Sequence, residues 1–384
     1  MAHSRLFASD AAEMSVFRKL VEVNWVLVLL IVIIACIGFA MLYSVAGGAF
    51  DPWASRQMIR FALGLGLMLA VSVVNIETWY RLSYAFYALA LGLLAAVEIY
   101  GQVGMGAQRW IDLGFFQLQP SEVMKIALVL ALARYFHGVD GEEIRKFRHL
   151  IIPALILALP VALVMRQPDL GTAMLMLVGS AALFFLAGAP LRYFAIAGIG
   201  ALSSIPIAWR FFLHGYQKDR ILTFLNPESD PLGAGYHILQ SKIALGSGGL
   251  TGKGFLMGTQ SHLNFLPEKH TDFIFTMLSE EFGITGGLLL ISLYLAVLGY
   301  GFAIALRARN QFGRLLSLGV TVTFFLYAFM NIAMVTGLVP VVGVPLPLVS
   351  YGGTAMLSVM IGFGLMMSVY IHRDVTISKS GIVR

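Results

Sequence analysis

Charge is what this sequence has least of. Of its 384 residues only 12% are Asp, Glu, Lys or Arg, about half of the roughly 25% usual in soluble domains. A soluble chain of this length cannot cover its surface with so few charges. That excludes a cytosolic enzyme, a disordered scaffold and a nucleic-acid reader. Cysteine is nearly absent too: Cys36 stands alone, inside an apolar run, so no intrachain disulfide can brace whatever lies outside a membrane. No segment recurs at the roughly 20–50-residue period of a repeat array, and no internal repeat of the transporter kind is evident.

What is abundant is apolar length. Hydrophobic residues make up 59% of the chain and mean hydropathy is +0.83. Apolar runs fall near 24–46, 58–75, 83–100, 119–137, 150–165, 170–188, 192–212, 273–305, 314–337 and 350–371. Each approaches the ~20 residues a helix needs to span a bilayer. The expected fold is therefore an all-α polytopic membrane protein of about ten transmembrane helices. The first run is too long for a signal-peptide core and reads as a retained helix. Residues 12–23 ahead of it suit a short interfacial helix. Most of the 26 Lys and Arg lie in the termini and in the connections after spans 2, 4, 6 and 8. That bias puts both termini in the cytoplasm and one long loop, about 213–271 between helices 7 and 8, outside. Trp25, Trp53, Trp79 and Trp209 fall near the expected boundaries, as an aromatic belt would place them. The expected division is an N-terminal segment (1–23), one transmembrane domain (24–372) and a tail (373–384).

Polar residues at membrane depth are costly, so each is a functional candidate. In the loop 101–121, Arg109 precedes Pro120, which starts a helix with Glu122 in its first turn and Lys125 on the same face. The pair is either a buried ion pair that holds helices together or part of an outward cavity. Asp169, in Gln167-Pro168-Asp169, suits a helix cap or a cavity carboxylate near Lys125. Within the long loop, Tyr236–Leu245 reads as a surface helix. Gly246–Gly254 imitates a nucleotide-binding loop but departs from its pattern at Ser247 and Gly254. The sharpest feature is Glu268-Lys269-His270-Thr271-Asp272, where the loop enters an apolar helix. Low dielectric there would raise the pKa of Asp272 towards that of a working base, while Lys269 and His270 would hold it down or bind a phosphate. Finally, Pro340, Pro345 and Pro347 forbid a regular helix ahead of Ser350-Tyr351-Gly352-Gly353. Such backbone is allowed at membrane depth only where protein or a water cavity covers it. It marks either a re-entrant, cavity-lining segment with Ser350 as a donor, or a plain outer loop.

The runs GAQRWIDLG, QPSE with the following Lys125, QPDLGT, NPESDPLGAGYHILQSKIALGSGGLTGKGF, LPEKHTDFIF and GVPLPLVSYGG occur in this order. Together they resemble the SEDS family of bacterial shape, elongation, division and sporulation proteins, most of all its elongation branch. The likeness runs from about residue 24 to 372. It implies a ten-helix fold in the bacterial cytoplasmic (inner) membrane with the active site facing the periplasm. It implies a peptidoglycan glycosyltransferase that polymerises lipid II into glycan strands for elongation and rod shape. It also implies a class B penicillin-binding protein as partner, other elongation-complex proteins, and no nucleic acid. By motif the essential carboxylate falls on Asp272, and the family cavity takes in Glu122, Lys125 and Asp169. Arg109, Lys125 or Lys269 would hold the pyrophosphate. A divalent cation (Mg or Mn) could share that task, but no closed ligand set is visible and the metal sites stay unknown. A lipid II flippase and the division-specific polymerase of the same family are the alternatives.

Overall fold

The computed structural model describes residues 14–104, 107–112, 114, 117–212, 215–226, 234–259 and 268–378. The readings that fall on 1–13, 227–233, 260–267 and 379–384 lie outside them. The chain begins with a short helix, α1 (Val16–Val21). Its Phe17, Val16 and Val21 are exposed, the pattern of a helix lying at a membrane surface. Lys19 ties it down by donating to Val73 O at 3.1 Å and to Asn75 Oδ1.

The long helices follow the apolar runs. In chain order they are α2 (Trp25–Val45), α3 (Ala54–Val73) and α4 (Ile76–Tyr100), then, after a small sheet, α5 (Pro120–Gly138) and the single turn α6 (Gly141–Ile144). Next come α7 (Arg148–Arg166), α8 (Leu170–Ala187) and α9 (Leu191–Ile207), the last ending in a π turn over Ala208–Phe212. Two loop helices follow, α10 (Gly215–Leu225) and α11 (Ala234–Ser247). The chain closes with α12 (Ile274–Arg307), α13 (Gln311–Val335) and α14 (Gly353–Ile371). Side-chain caps start several of them: Asn24 Oδ1 accepts from Leu27 N at 3.1 Å, and Asn310 Oδ1 from Gly313 N at 2.6 Å.

Among the described residues nine helices are long and apolar enough to cross a membrane: α2, α3, α4, α7, α8, α9, α12, α13 and α14. The tenth expected span is α5. It is 19 residues long but carries Glu122, Lys125 and Arg134, so composition alone does not mark it as a span. Its setting explains how it keeps them. Every residue from Met124 to Ala133 is buried, against α4, α7, α8, α13 and α14. Charges inside a bundle are spared contact with lipid. By contrast α9 buries none of its residues.

Two places depart from the expected plan. The loop 101–121 holds a small antiparallel sheet, β1 (Gln102–Gly104), β2 (Ala107–Asp112) and β3 (Gln117–Leu118), with β2 in the middle. The long loop folds back on α12, which is bent at Gly283 (φ 66°). Amides of Lys253 and Gly254 donate to Glu280 O and Glu281 O, and those of Ile284 and Thr285 donate to Gly249 O and Leu250 O. The loop thus supplies the partners that the break removes from the helix. The match is tight: Gly252 has φ +82°, and a Cβ there would lie 2.1 Å from Glu281 O. The carboxylates of Glu280 and Glu281 are wholly buried. Glu280 pairs with Lys253 Nζ at 2.8 Å, and Glu281 accepts from Ser44 Oγ and from Leu256 N. The glycines of the segment that imitates a phosphate loop serve this close backbone contact.

Replacing Gly252 with Ala forces both a strained backbone and a clash with α12. Stability should fall by about 2–4 kcal/mol. Thermal unfolding of the purified protein in detergent would register this as a drop of several degrees. An unchanged melting curve would mean that the loop is not clasped to the bend.

Candidate active site

The segment between α13 and α14 explains how the site is held. Residues 340–352 are not helical, yet Val344, Leu346, Leu348, Val349 and Ser350 are buried. Helix side chains take up the freed carbonyls. Asn331 Nδ2 donates to Val344 O at 2.7 Å, Tyr294 Oη to Pro347 O at 2.8 Å, and Gln57 Nε2 to Ser350 O at 2.9 Å. This is the condition for irregular backbone at membrane depth. The re-entrant alternative, and not a plain outer loop, describes it. The segment also presses on α2, where Gly38 leaves no room for a side chain: a Cβ would stand 2.7 Å from Val349 Cα.

On this platform rests the turn 268–273. Glu268 O gathers the amides of Thr271, Asp272 and Phe273. Ser350 Oγ donates to Thr271 O at 2.5 Å while accepting from Leu346 N at 2.8 Å. Tyr351 N donates to His270 O at 2.9 Å, and Asn331 Nδ2 also reaches Asp272 O at 2.9 Å. The hydroxyl of Ser350 is therefore engaged in holding the reactive turn. His270 stacks on Trp53 with centroids 5.0 Å apart and meets the edge of Tyr351.

The Asp272 carboxylate is partly buried beside Gly343. Burial pushes its pKa up from 3.8 to about 6, and the neighbouring charge of Glu268 adds to the rise. Arg220 of α10 and a hydrogen bond from Thr271 pull the other way and do not overcome it. Between the two opposing effects left open by the sequence, desolvation wins. The opposing cation is Arg220, which the sequence reading passes over, as it does Gln57, Asn331, Glu280 and Glu281. A lone amide or acid within an apolar run is the signal that could have found the last four. Lys269 and His270 both have pKa values lowered by burial.

A second polar group lies within the helices. Lys125 Nζ is 2.7 Å from Glu122 Oε1 and also bonds Tyr327 Oη, while Glu122 Oε2 accepts from Tyr327 Oη at 2.5 Å and from Ser358 Oγ at 3.2 Å. All four side chains are buried. Asp169 caps α8, accepting from Thr172 N at 3.1 Å and Thr172 Oγ1 at 2.9 Å, and lies 3.9 Å from Arg109 Nε. Arg109 gives its hydrogen bonds to Gln167 O and Pro168 O, which fixes the α7–α8 turn. Among the described residues no three His, Cys, Asp or Glu side chains converge as a metal site requires.

The fold and site define a polytopic membrane protein with a basic carboxylate at one end of its helices and a neutralised ion pair within them. The FtsW/RodA/SpoVE cell cycle protein family model matches residues 22–375, and the chain belongs to that family. It is 43% identical to the peptidoglycan glycosyltransferase MrdB of Escherichia coli K12, covering 92% of this chain and 94% of that one. It is 36% identical to stage V sporulation protein E of Bacillus subtilis, over 89% and 95%. A solved structure described as coordinating polymerization and crosslinking in a peptidoglycan synthase complex superposes with a TM-score of 0.80 at 32% identity, covering 91% of this chain and 98% of that one. The crystal structure of Thermus thermophilus rod shape determining protein RodA does so at 0.69 and 30%, over 91% and 97%.

Two measurements follow. Removing Glu122 alone (Glu122→Ala) leaves Lys125 charged and unpaired in the bundle, which should cost about 3–5 kcal/mol; the double variant Glu122→Leu/Lys125→Met should recover most of that in detergent melting curves. For Asp272 the folded pKa lies above the unfolded one, so its contribution is fully stabilising below pH 3.8 and is lost as pH rises through about 6. Asp272→Asn should therefore melt higher than wild type at pH 8, with the gap narrowing as pH falls through about 6 and closing near 3.8. A gap that does not depend on pH would contradict the raised pKa.

Proposed function

We propose that this chain is a peptidoglycan glycosyltransferase that polymerises lipid II, with Asp272 as general base. The observation that carries the reading is the placement of the Asp272 carboxylate, on a turn held by Ser350 and Asn331 at the lip of an apolar helix, where burial lifts its pKa to about 6. A carboxylate of that strength is ionised at neutral pH, yet basic enough to take a proton from a hydroxyl in the transition state. The acceptor GlcNAc 4-hydroxyl gives its proton to Asp272 as its oxygen attacks C1 of the donor MurNAc. The bond from C1 to the pyrophosphate oxygen breaks with inversion, and the lipid pyrophosphate departs carrying both electrons. Arg220 and Lys269 lie near Asp272 and supply positive charge for the leaving group. The relatives named as peptidoglycan glycosyltransferases support this chemistry.

The membrane is the bacterial cytoplasmic membrane, with the Asp272 face towards the periplasm, where the bias of Lys and Arg puts it. The role is elongation. Identity to MrdB, at 43%, exceeds that to the division-type FtsW of a Geobacter strain, at 34%. The partner is a class B penicillin-binding protein; the neighbour whose description couples polymerization with crosslinking supports that choice. A lipid II flippase is disfavoured because Lys125 and Glu122 neutralise one another within the bundle, so that this pair offers no net charge to draw a substrate across.

Lipid II polymerisation by the purified chain with its partner tests the proposal. Asp272→Ala should fold and lose about 10²–10⁴-fold in rate. The wild-type rate should rise tenfold per pH unit below about 6 and level off above 7. A folded Asp272→Ala protein that still makes strands would end the assignment.

A further inference from the structure

We infer that Arg60 is the seat of a second lipid-linked pyrophosphate, distinct from the cations beside Asp272; this rests on the function proposed above. Arg60 lies in α3, one turn beyond Gln57, the side chain that holds Ser350. Its Nη1 is buried and has no hydrogen-bond partner, the only cationic atom in that state among the described residues. Its guanidinium faces the ring of Tyr351, with Cζ 4.6 Å from the centroid. Among the described residues no carboxylate forms an ion pair with it. Three nearby cations are committed: Lys125 to Glu122, Arg109 to two carbonyls, Lys253 to Glu280. Arg60 is only partly buried, yet the Nη1 end of its guanidinium is closed off and unpaired, and an unmet donor there is costly. It persists where an anion arrives from outside the chain.

The surroundings say what kind of anion. Nε lies 3.3 Å from where a Cβ on Gly353 would be, so the guanidinium sits against the first residue of α14. A planar fork held over an aromatic face matches the oxygens of a phosphate two at a time. On the same helix Met58, Ile59 and Leu63 are exposed, an apolar flank for a hydrocarbon chain running down the bundle. Phosphate on a lipid satisfies both features; a free sugar phosphate satisfies only the first. The reaction requires two such groups at once, because donor and acceptor are each lipid-linked. Trp53, His270 and Tyr351 form a file of rings from the Asp272 turn to Arg60, which ties the second seat to the position of the base.

The experiment measures binding of undecaprenyl pyrophosphate to the full chain in nanodiscs, in the inactive Asp272→Ala background, with phosphatidylglycerol as competitor. Arg60→Gln should weaken binding at least tenfold and Arg60→Lys by less, while excess phosphatidylglycerol displaces nothing. In active protein, Arg60→Lys should raise KM for lipid II at least fivefold with kcat changed less than twofold. That split would not follow from a structural role, and the conservative variant keeps it readable if Arg60→Gln folds poorly. Equal binding by Arg60→Gln, or displacement by phosphatidylglycerol, overturns the inference and leaves the proposed function standing. No binding by the Asp272→Ala parent overturns both.

Discussion

Backbone polar groups inside hydrocarbon must find partners within the protein, and the site grows out of one place where a helix cannot supply them. Three prolines break the chain between α13 and α14. The carbonyls set free are met by Asn331, Tyr294 and Gln57, one side chain from each of three helices. Ser350 and Tyr351 then hand the same fixity on to the turn that carries Asp272. The Asp272 carboxylate is thus positioned by a chain of ordinary hydrogen bonds, each modest alone at about 1 kcal/mol.

Charge is used in two ways. Where it is structural it is answered at once, as in Lys125 with Glu122 and Lys253 with Glu280. At Asp272 it is left incompletely answered. Asp272 has burial against it and only Arg220 and Thr271 for it, so its proton is held more tightly than a carboxylate's usually is. A chain with so few charges can maintain that contrast, because few others are near enough to blur it.

The sequence made the helices legible because a bilayer-spanning run is a long signal. Even α5, with three charges, reads as a helix from its proline start and its apolar length. The small sheet did not show, since strands of two to six residues carry too short a pattern. Nor did the bend in α12: the run through Gly283 is apolar on both sides, and only the docking of residues 249–254 reveals that its backbone is shared. Asp272 could be singled out because it stands at a boundary between loop and span. Arg220 could not, because its relation to Asp272 is made across a fold and leaves no mark on local spacing. The competition between burial and cations at Asp272 was visible as a question; its outcome depends on three-dimensional exposure.

Gly38 carries no chemistry, lies in the most apolar helix of the protein and would pass for filler in any inventory of polar sites. Yet a Cβ on it would meet the backbone of Leu348 and Val349, the two residues just before the serine that holds the Asp272 turn. Its missing side chain is a tolerance built into the assembly. The first membrane helix acts as a gauge against which the depth of the non-helical platform under Asp272 is set. A single methyl group added there would act on the Asp272 turn from outside it, with no polar contact altered, so a genetic lesion at this position would displace that turn while leaving Asp272 intact.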